Sequence, residues 1–186
     1  MIDLDDRTLL REIDPDDMLG RIAELPQQCR DAWTNVQDLE LPSEYRRARN
    51  IVILGMGGSA IGGDLLRALA EPECALPILT HRDYTVPAFV SAETLVIASS
   101  YSGNTEETLT AFEEARERGA ALLAISTGGK LARWAREWGV PLLSFSYKSQ
   151  PRAALGYSLV SLIGVVQKLG FVGDKRADLE EAIAVM

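Results

Sequence analysis

Five short apolar runs, separated by segments with helical spacing, limit the fold of this chain more than any other feature. The runs are Ile51–Leu54, Leu76–Leu79, Thr94–Ala98, Ala121–Ile125 and Pro141–Phe145. The segments with helical spacing between them are Ser59–Ala70, Thr105–Arg118 and Lys130–Trp138. A continuous apolar run is typical of a strand that is covered on both faces, and strands that alternate with helices form parallel sheets. The sequence therefore predicts an α/β fold, a three-layer α/β/α sandwich with a five-stranded parallel sheet and right-handed crossovers.

Helices are also expected before the first strand. Residues 1–14 are acidic and weakly patterned, and we expect an arm or a short helix there. Helical spacing over Asp16–Leu25 and again over Pro26–Val36 predicts two helices, because a proline ends one helix and can open the next.

After the last strand, Pro151 opens a long apolar helix to Leu169, and Arg176–Val185 predicts one further short helix. We expect residues 1–40 to form a helical segment that packs on a domain of residues 41–170. Residues 171–186 would then be a C-terminal helix or the start of a linker.

Composition and charge exclude several classes of protein. An apolar fraction of 47% and a charged fraction of 25% are those of an ordinary globular protein. The net charge of -8 argues against nucleic acid and anionic membranes as partners, since both reward a basic face. The N-terminus lacks the pattern of a signal peptide, and Ala153–Val166 is too short to span a bilayer. Cys29 and Cys74 fit neither a disulfide framework nor a zinc pattern, so we expect a cytoplasmic protein without a metal.

The segment Ser99–Thr108 follows the third apolar run directly and leads into a helix. It offers the hydroxyls of Ser100, Ser102 and Thr105, with Gly103 where the backbone must turn. Hydroxyls and the free N–H groups of a helix start suit a phosphate. Serine, asparagine and threonine are also favoured at ordinary turns and helix caps. The residues alone leave both interpretations, a phosphate cradle and a capped turn, open.

A glycine-rich segment, Gly55–Asp64, follows the first apolar run. Glycine lets the backbone turn tightly and approach a ligand, while Gly62 and Gly63 within a helix each cost roughly 1 kcal/mol relative to alanine. Close packing would explain that cost. The segment also matches part of the dinucleotide-binding pattern, which remains an alternative although the second run ends without the required acidic residue.

Two other polar features carry weaker predictions. Residues 126–130 repeat the theme of polar residues and glycines before a helix, and they could add ligand contacts or form a simple turn. His81, the only histidine, is expected to be a surface residue just after the second strand, since no orienting partner for a catalytic role is visible.

Three motifs in this order resemble the sugar isomerase (SIS) domain. They are the glycine-rich Gly55–Asp64, the hydroxyl-rich Ser100–Thr108 and Gln150–Gly156, which begins Gln-Pro-Arg. The resemblance covers roughly residues 16–169, and it is closest to the N-terminal half of the bifunctional phosphoglucose/phosphomannose isomerases. It implies a flavodoxin-like α/β/α fold and a hexose 6-phosphate as ligand, with neither a metal nor an organic cofactor.

The resemblance also implies roles for particular residues. The side chains of Ser59, Ser100, Ser102 and Thr105 would bind the phosphate, and the backbone N–H groups of Gly57 and Gly58 would close around the sugar. Arg152 would lie near C1 and C2 of the sugar and stabilise the negative charge of a cis-enediolate, a role that suits a permanently charged guanidinium. The alternative for Arg152 is a surface residue held in an ion pair.

Proteins of this family carry two such domains, and their glutamate base, with the histidine and lysine of ring opening, belongs to the second. This sequence supplies one set of strands, so the resemblance implies a second SIS domain as partner, either a missing half or a second copy. Two hypotheses follow: one half of an isomerase that interconverts glucose 6-phosphate or mannose 6-phosphate with fructose 6-phosphate, or a sugar-phosphate-binding regulatory module without catalysis. The residues do not distinguish the two epimers.

Overall fold

The structure, a computed structural model, describes residues 7–186, so residues 1–6 of the predicted N-terminal arm or short helix lie outside the described residues. Five parallel strands form one sheet with the spatial order β2-β1-β3-β4-β5. The strands are β1 (Asn50–Leu54), β2 (Ile78–His81), β3 (Thr94–Ser99), β4 (Ala121–Ser126) and β5 (Leu142–Ser144). The predicted five-stranded parallel sheet is therefore confirmed.

Eight α-helices and two short 3-10 helices complete the described part of the chain. The α-helices are α1 (Arg7–Ile13), α2 (Met18–Ala23), α3 (Leu25–Gln37), α4 (Gly57–Ala70), α5 (Glu106–Glu117), α6 (Gly129–Trp138), α7 (Leu155–Lys168) and α8 (Arg176–Val185). The 3-10 helices span Ser43–Arg47 and Pro151–Ala153. No helix within residues 7–186 combines the length and the apolar character needed to cross a membrane.

The three inner strands, β1, β3 and β4, bury both of their faces, as their continuous apolar runs predict, whereas β2 at one end of the sheet has no buried residue. Successive strand residues point to opposite sides of a sheet. In β1, Ile51 and Ile53 join a core with α3, α4 and α7, while Val52 and Leu54 join a second core with α5 and α6. Two cores on opposite faces of one sheet make the three-layer α/β/α sandwich that the sequence predicts.

The two helical glycines of α4 allow unusually close packing. A Cβ on Gly62 would lie 2.7 Å from the hydroxyl oxygen of Ser158 in α7. A Cβ on Gly63 would lie 2.8 Å from the hydroxyl oxygen of Thr80 and 3.0 Å from a methyl carbon of Ile53. The close packing that was expected to offset their conformational cost is confirmed, and it seats the start of α4 against the sheet and α7.

The N-terminal helices begin and end differently from the prediction. A single helix was expected over Asp16–Leu25, but α2 begins at Met18 and ends at Ala23. At its start, the carboxylate of Asp14 accepts hydrogen bonds from the N–H groups of Met18 and Leu19, both at 2.8 Å. These bonds supply the N-terminal cap and also lower the pKa of Asp14.

The second strand and the last long helix are also shifted. β2 begins at Ile78 instead of Leu76, since its pairing with β1 starts where Ile51 donates its N–H to the carbonyl of Pro77 at 2.9 Å. Pro151 does not open α7, because Ala153 and Ala154 donate to the carbonyls three residues before them and close a 3-10 turn. The chain therefore makes a separate tight turn at Arg152 before α7 begins.

Candidate functional site

The order of the strands creates a crevice at one edge of the sheet. β1 lies beside β3, yet α4 follows β1 on one face and α5 follows β3 on the other. The two connections diverge at this point, and in open parallel sheets such a switch point beyond the carboxyl ends of the strands is where ligands bind. The glycine-rich and hydroxyl-rich segments are these two connections.

We call residues 99–105 the hydroxyl loop. Its inner hydroxyl belongs to Ser100, which is 2% exposed and accepts a hydrogen bond from the N–H of Gly103 at 3.1 Å. The hydroxyl oxygens of Ser100 and Thr105 are 3.0 Å apart and share a hydrogen bond. Ser102 is exposed, and its hydroxyl accepts the N–H of Asn104 at 3.2 Å. Three hydroxyls are thus fixed within one short turn before α5.

The first turn of α5 leaves donors available beside these hydroxyls. Thr105 is the N-cap residue, but its side chain makes no capping hydrogen bond and binds Ser100 instead. The N–H groups that open a helix have no partner within the helix and carry partial positive charge. Glu106 and Glu107 follow the cap at exposed and half-buried positions, so an anion must bind on the side of the loop away from their carboxylates.

The glycine-rich segment joins the hydroxyl loop through Ser59. Its hydroxyl oxygen accepts the N–H of Tyr101 at 3.1 Å, and its carbonyl accepts the hydroxyl of Ser99 at 3.3 Å. Because the Ser59 hydroxyl accepts in this bond, its own proton remains free to donate. Gly57, with a φ of 50°, is exposed at the start of α4, where a left-handed backbone favours glycine.

The loop after β5, residues 145–153, which we call the arginine loop, packs against the same place. A Cβ on Gly58 would lie 2.9 Å from both the Cα and the backbone nitrogen of Arg152, so only glycine permits this backbone contact without a shift. Arg152 is exposed, and within residues 7–186 its side chain makes no hydrogen bond or ion pair. Its positive charge therefore has no carboxylate partner in the described part of the chain.

The fourth connection, after β4, supports the hydroxyl loop from its other side. Gly103 has a φ of 67°, and a Cβ there would overlap the carbonyl oxygen of Gly128. Asn104 accepts the N–H of Lys130 at 3.0 Å through its side-chain oxygen, and the hydroxyl of Thr127 donates to the carbonyl of Tyr101 at 2.7 Å. Residues 126–130 therefore stabilise the hydroxyl loop from the side of β4.

All seven residues predicted from the sequence lie on these connections, while two further residues were missed. Tyr101 links two loops: its hydroxyl donates to the carbonyl of Tyr147 and accepts the N–H of Ser149 at 2.7 Å. Asn104 ties the hydroxyl loop to α6. Both lie inside the hydroxyl-rich motif Ser100–Thr108. Their position between its hydroxyls and Gly103 was the signal in the sequence that could have identified them.

The alternatives left open by the sequence find little support in the geometry. At the end of β2, where a dinucleotide site needs an acidic residue, His81 and Arg82 stand instead, and Arg82 pairs with Asp64 of α4. His81 is the last residue of β2, not the first residue after it as expected, and its Nε2 lies 2.8 Å from the carbonyl oxygen of Thr85 in its own loop. Among the described residues, no three His, Cys, Asp or Glu side chains are grouped to hold a metal ion.

Comparisons with known proteins agree with the motifs. A family model described as the SIS domain matches residues 44–138. The chain is 42% identical over 169 residues to a bifunctional phosphoglucose/phosphomannose isomerase of Caldicellulosiruptor bescii, covering 91% of this chain and 50% of that protein. A protein of the same name from Thermoplasma acidophilum is 44% identical over 137 residues, covering 74% of this chain and 40% of the other.

A solved structure shares the fold. The tagatose-6-phosphate ketose/aldose isomerase from Escherichia coli superimposes with a TM-score of 0.71 at 18% identity, covering 90% of this chain and 52% of that one. The chain thus spans about half the length of the curated relatives it matches.

Proposed function

This chain belongs to the SIS domain family, and we propose that it is the phosphosugar-binding domain of an aldose–ketose isomerase. The reaction would interconvert glucose 6-phosphate, and mannose 6-phosphate, with fructose 6-phosphate. The name shared by the two curated relatives supports this choice of substrates.

The convergence of three motifs at one edge of the sheet carries the proposal. Ser59, the hydroxyl loop and the turn at Arg152 come from separate parts of the chain and are joined by direct contacts. Hydroxyls and uncapped N–H groups provide donors for a phosphate, and a cation without a partner stands beside them. A turn that only caps α5 would require neither the arginine nor the close approach of Gly58.

In the proposed mechanism, the chain binds the phosphate and stabilises charge, and another domain moves the proton. The phosphate would be held by Ser59, Ser100, Ser102 and Thr105. A fixed phosphate would in turn determine where C1 and C2 of the sugar lie. Removal of the proton from the carbon next to the carbonyl group leaves negative charge on an enediolate oxygen. The guanidinium of Arg152 would stabilise that charge, because it remains protonated throughout. The general base would lie on the second SIS domain.

An apolar stripe on α4 supports the second SIS domain as partner. Ile61, Leu65 and Leu69 recur every fourth residue, so they share one face of the helix, and they are 44%, 40% and 42% exposed. We expect the chain to associate through this face, either with the second SIS domain or with a copy of itself. Sedimentation of the chain should show an association that Leu65→Lys weakens, whereas strictly monomeric behaviour at all concentrations counts against self-association.

Calorimetric titration with fructose 6-phosphate and with inorganic phosphate tests the phosphate site. Ser102→Ala and Thr105→Ala should each weaken binding of both ligands by about tenfold, since each removes a hydrogen bond to a charged group. Their folding should stay nearly intact, because both side chains lie at the end of a strand near the surface. Ser91→Ala, at an exposed turn on the opposite edge of the sheet, is the matched control.

Two outcomes would contradict the proposal in different ways. No binding at millimolar ligand rejects the phosphate site, and unfolding of either alanine variant favours the capped-turn interpretation. An assay of the chain alone for isomerisation of glucose 6-phosphate separates catalysis from binding. Turnover would show that the base lies within this chain, while tight binding without turnover even beside a second SIS domain would favour a regulatory module.

A further inference from the structure

Gln28 of α3 lies beneath the arginine loop, although it is far from that loop in the sequence. We propose that Gln28 is a positioning residue, which holds the turn at Arg152 so that the guanidinium faces the reacting carbons of the sugar. The inference rests on the proposed function, since it assigns Gln28 a part in the same site.

The side-chain amide of Gln28 uses both of its ends on the segment around Arg152. Its Nε2 donates to the carbonyl of Ala153 at 2.8 Å, next to Arg152 in the chain. Its Oε1 accepts the N–H of Gly156, in the first turn of α7, at 3.2 Å. One amide therefore bridges the 3-10 turn and the helix that follows, and it fixes the bend between them.

The same amide also reaches the earlier part of the arginine loop. Nε2 lies 3.0 Å from the hydroxyl oxygen of Tyr147, whose own proton is donated to the carboxylate of Glu24 at 2.7 Å. Tyr147 in turn accepts, through its backbone carbonyl, the hydroxyl of Tyr101 from the hydroxyl loop. Gln28 thus stands at the base of a chain of hydrogen bonds that ends in the phosphate cradle.

Burial and close packing leave this amide little freedom. Gln28 is 1% exposed, and a Cβ on Gly156 would lie 2.7 Å from the Gln28 Cβ and 3.1 Å from its Oε1. A buried amide must satisfy its donors and its acceptor, so its orientation is determined by these partners. Aliphatic side chains could fill the same volume but could not bind the carbonyl of Ala153 and the N–H of Gly156 together.

The turn at Arg152 is held from two sides, and both contacts are made to its backbone. Gly58 contacts the backbone of Arg152 from the α4 side, and Gln28 binds the next residue from the α3 side. The Arg152 side chain itself has no partner within residues 7–186 that could keep it in place. The direction of the guanidinium therefore depends on the turn, and the turn depends on Gln28.

The test compares two ligands that use different parts of the site. Inorganic phosphate needs only the hydroxyls and N–H groups, whereas 6-phosphogluconate adds a C1 carboxylate where the enediolate charge would form. Gln28→Met keeps the length and volume of the side chain but removes its hydrogen bonds. We expect this variant to bind inorganic phosphate nearly as well as the wild type and to lose about tenfold in its preference for 6-phosphogluconate.

A double-mutant cycle with Arg152→Ala identifies the route of the effect. If Gln28 acts through Arg152, Gln28→Met causes no further loss of preference when Arg152 is already alanine. The neighbouring Gln27→Met is the matched control, because Gln27 is exposed and, among the described residues, its amide binds only Asp31, at 2.7 Å. If Gln28→Met fails to fold, Gln28→Asn, which keeps the amide on a shorter side chain, decides the question with the same readout.

The outcomes separate this inference from the proposed function. A wild type without preference for 6-phosphogluconate overturns both. A preference that Arg152→Ala abolishes but the Gln28 variant retains overturns only the inference, as does an equal loss of affinity for both ligands. A preference lost in both single variants, with no additional loss in the double variant, is the expected result.

Discussion

The hydroxyl loop and the arginine loop meet at the same edge of the sheet, but they are held there in different ways. The hydroxyl loop is stabilised by short-range bonds among Ser100, Gly103 and Thr105, and by the adjoining connection after β4. The arginine loop depends on side chains that are distant in the sequence, chiefly Gln28 and Tyr101. The turn that we propose as the phosphate cradle is thus closed by bonds between residues a few positions apart, whereas the position of Arg152 is set by tertiary packing.

Gly103→Ala tests how strictly the hydroxyl loop is built, and it has the largest expected effect. Gly103 has a left-handed backbone, with a φ of 67°, which disfavours any side chain. An added Cβ would also overlap the carbonyl oxygen of Gly128. Unfolding in urea should show a loss of about 2–5 kcal/mol in the free energy of unfolding, from backbone strain and overpacking together. Phosphate binding should fall as well, because the added Cβ forces the hydroxyl loop away from the loop after β4.

Gly119→Ala is the matched control for that prediction. Gly119 has a similar φ of 77°, but a Cβ there meets no atom within 4 Å. Only the backbone cost of about 1 kcal/mol should remain. Equal losses in the two variants would show that the contact between the loops after β3 and β4 contributes nothing.

Tyr101→Phe breaks the connection between the two loops and should have an intermediate effect. The ring contact with Phe145, at 6.2 Å between centroids, is retained, but the N–H of Ser149 and the carbonyl of Tyr147 lose their partner. We expect a loss of about 1–2 kcal/mol in the free energy of unfolding, typical of half-buried groups left without a hydrogen bond.

Ligand binding by the same variant tells which loop depends on the other. Titration should give a weaker affinity for 6-phosphogluconate and an almost unchanged affinity for inorganic phosphate, since the hydroxyl loop keeps its own bonds. A fall in phosphate affinity alone would reverse the comparison and make the arginine loop the support of the cradle.

This contrast also explains how far sequence reasoning could go. The motif around Ser100 and Thr105 was visible because its hydrogen bonds join residues a few positions apart, and turn chemistry at that range is encoded locally. The sheet was equally visible, since the inner strands β1, β3 and β4 show their double burial as continuous apolar runs. The helical glycines of α4 predicted close packing, but the sequence did not show that Ser158 and Thr80 would be their neighbours.

What could not be predicted depends on contacts across the fold. Gln28 binds residues that are 119 to 128 positions away, and nothing near it in the sequence marks the arginine loop as its partner. The shift of β2 follows from its register with β1, which a single strand does not reveal. The 3-10 turn at Arg152 looks like a helix start in the sequence because Pro151 suits both structures.

The smallest expected effect concerns Glu24, whose carboxylate accepts the hydroxyl of Tyr147 in the arginine loop. The carboxylate of Glu24 accepts the Tyr147 hydroxyl at 2.7 Å and a hydrogen bond from Arg21 at 3.2 Å, and these bonds lower its pKa below the ordinary value of 4.5. A carboxyl whose pKa is lower in the folded state adds stability above its unfolded pKa and loses that contribution as the pH falls through the folded value. Glu24→Gln keeps an acceptor for Tyr147 but does not titrate. The wild type should therefore be slightly more stable than the variant at neutral pH, and urea unfolding should show the difference closing as the pH falls below 4.5 through the lowered pKa of Glu24. The effect is small because Glu24 is exposed and Arg21 is only half-buried, so solvent and salt screen the pair. A difference that stays constant with pH would show that the support of the arginine loop ends at Tyr147.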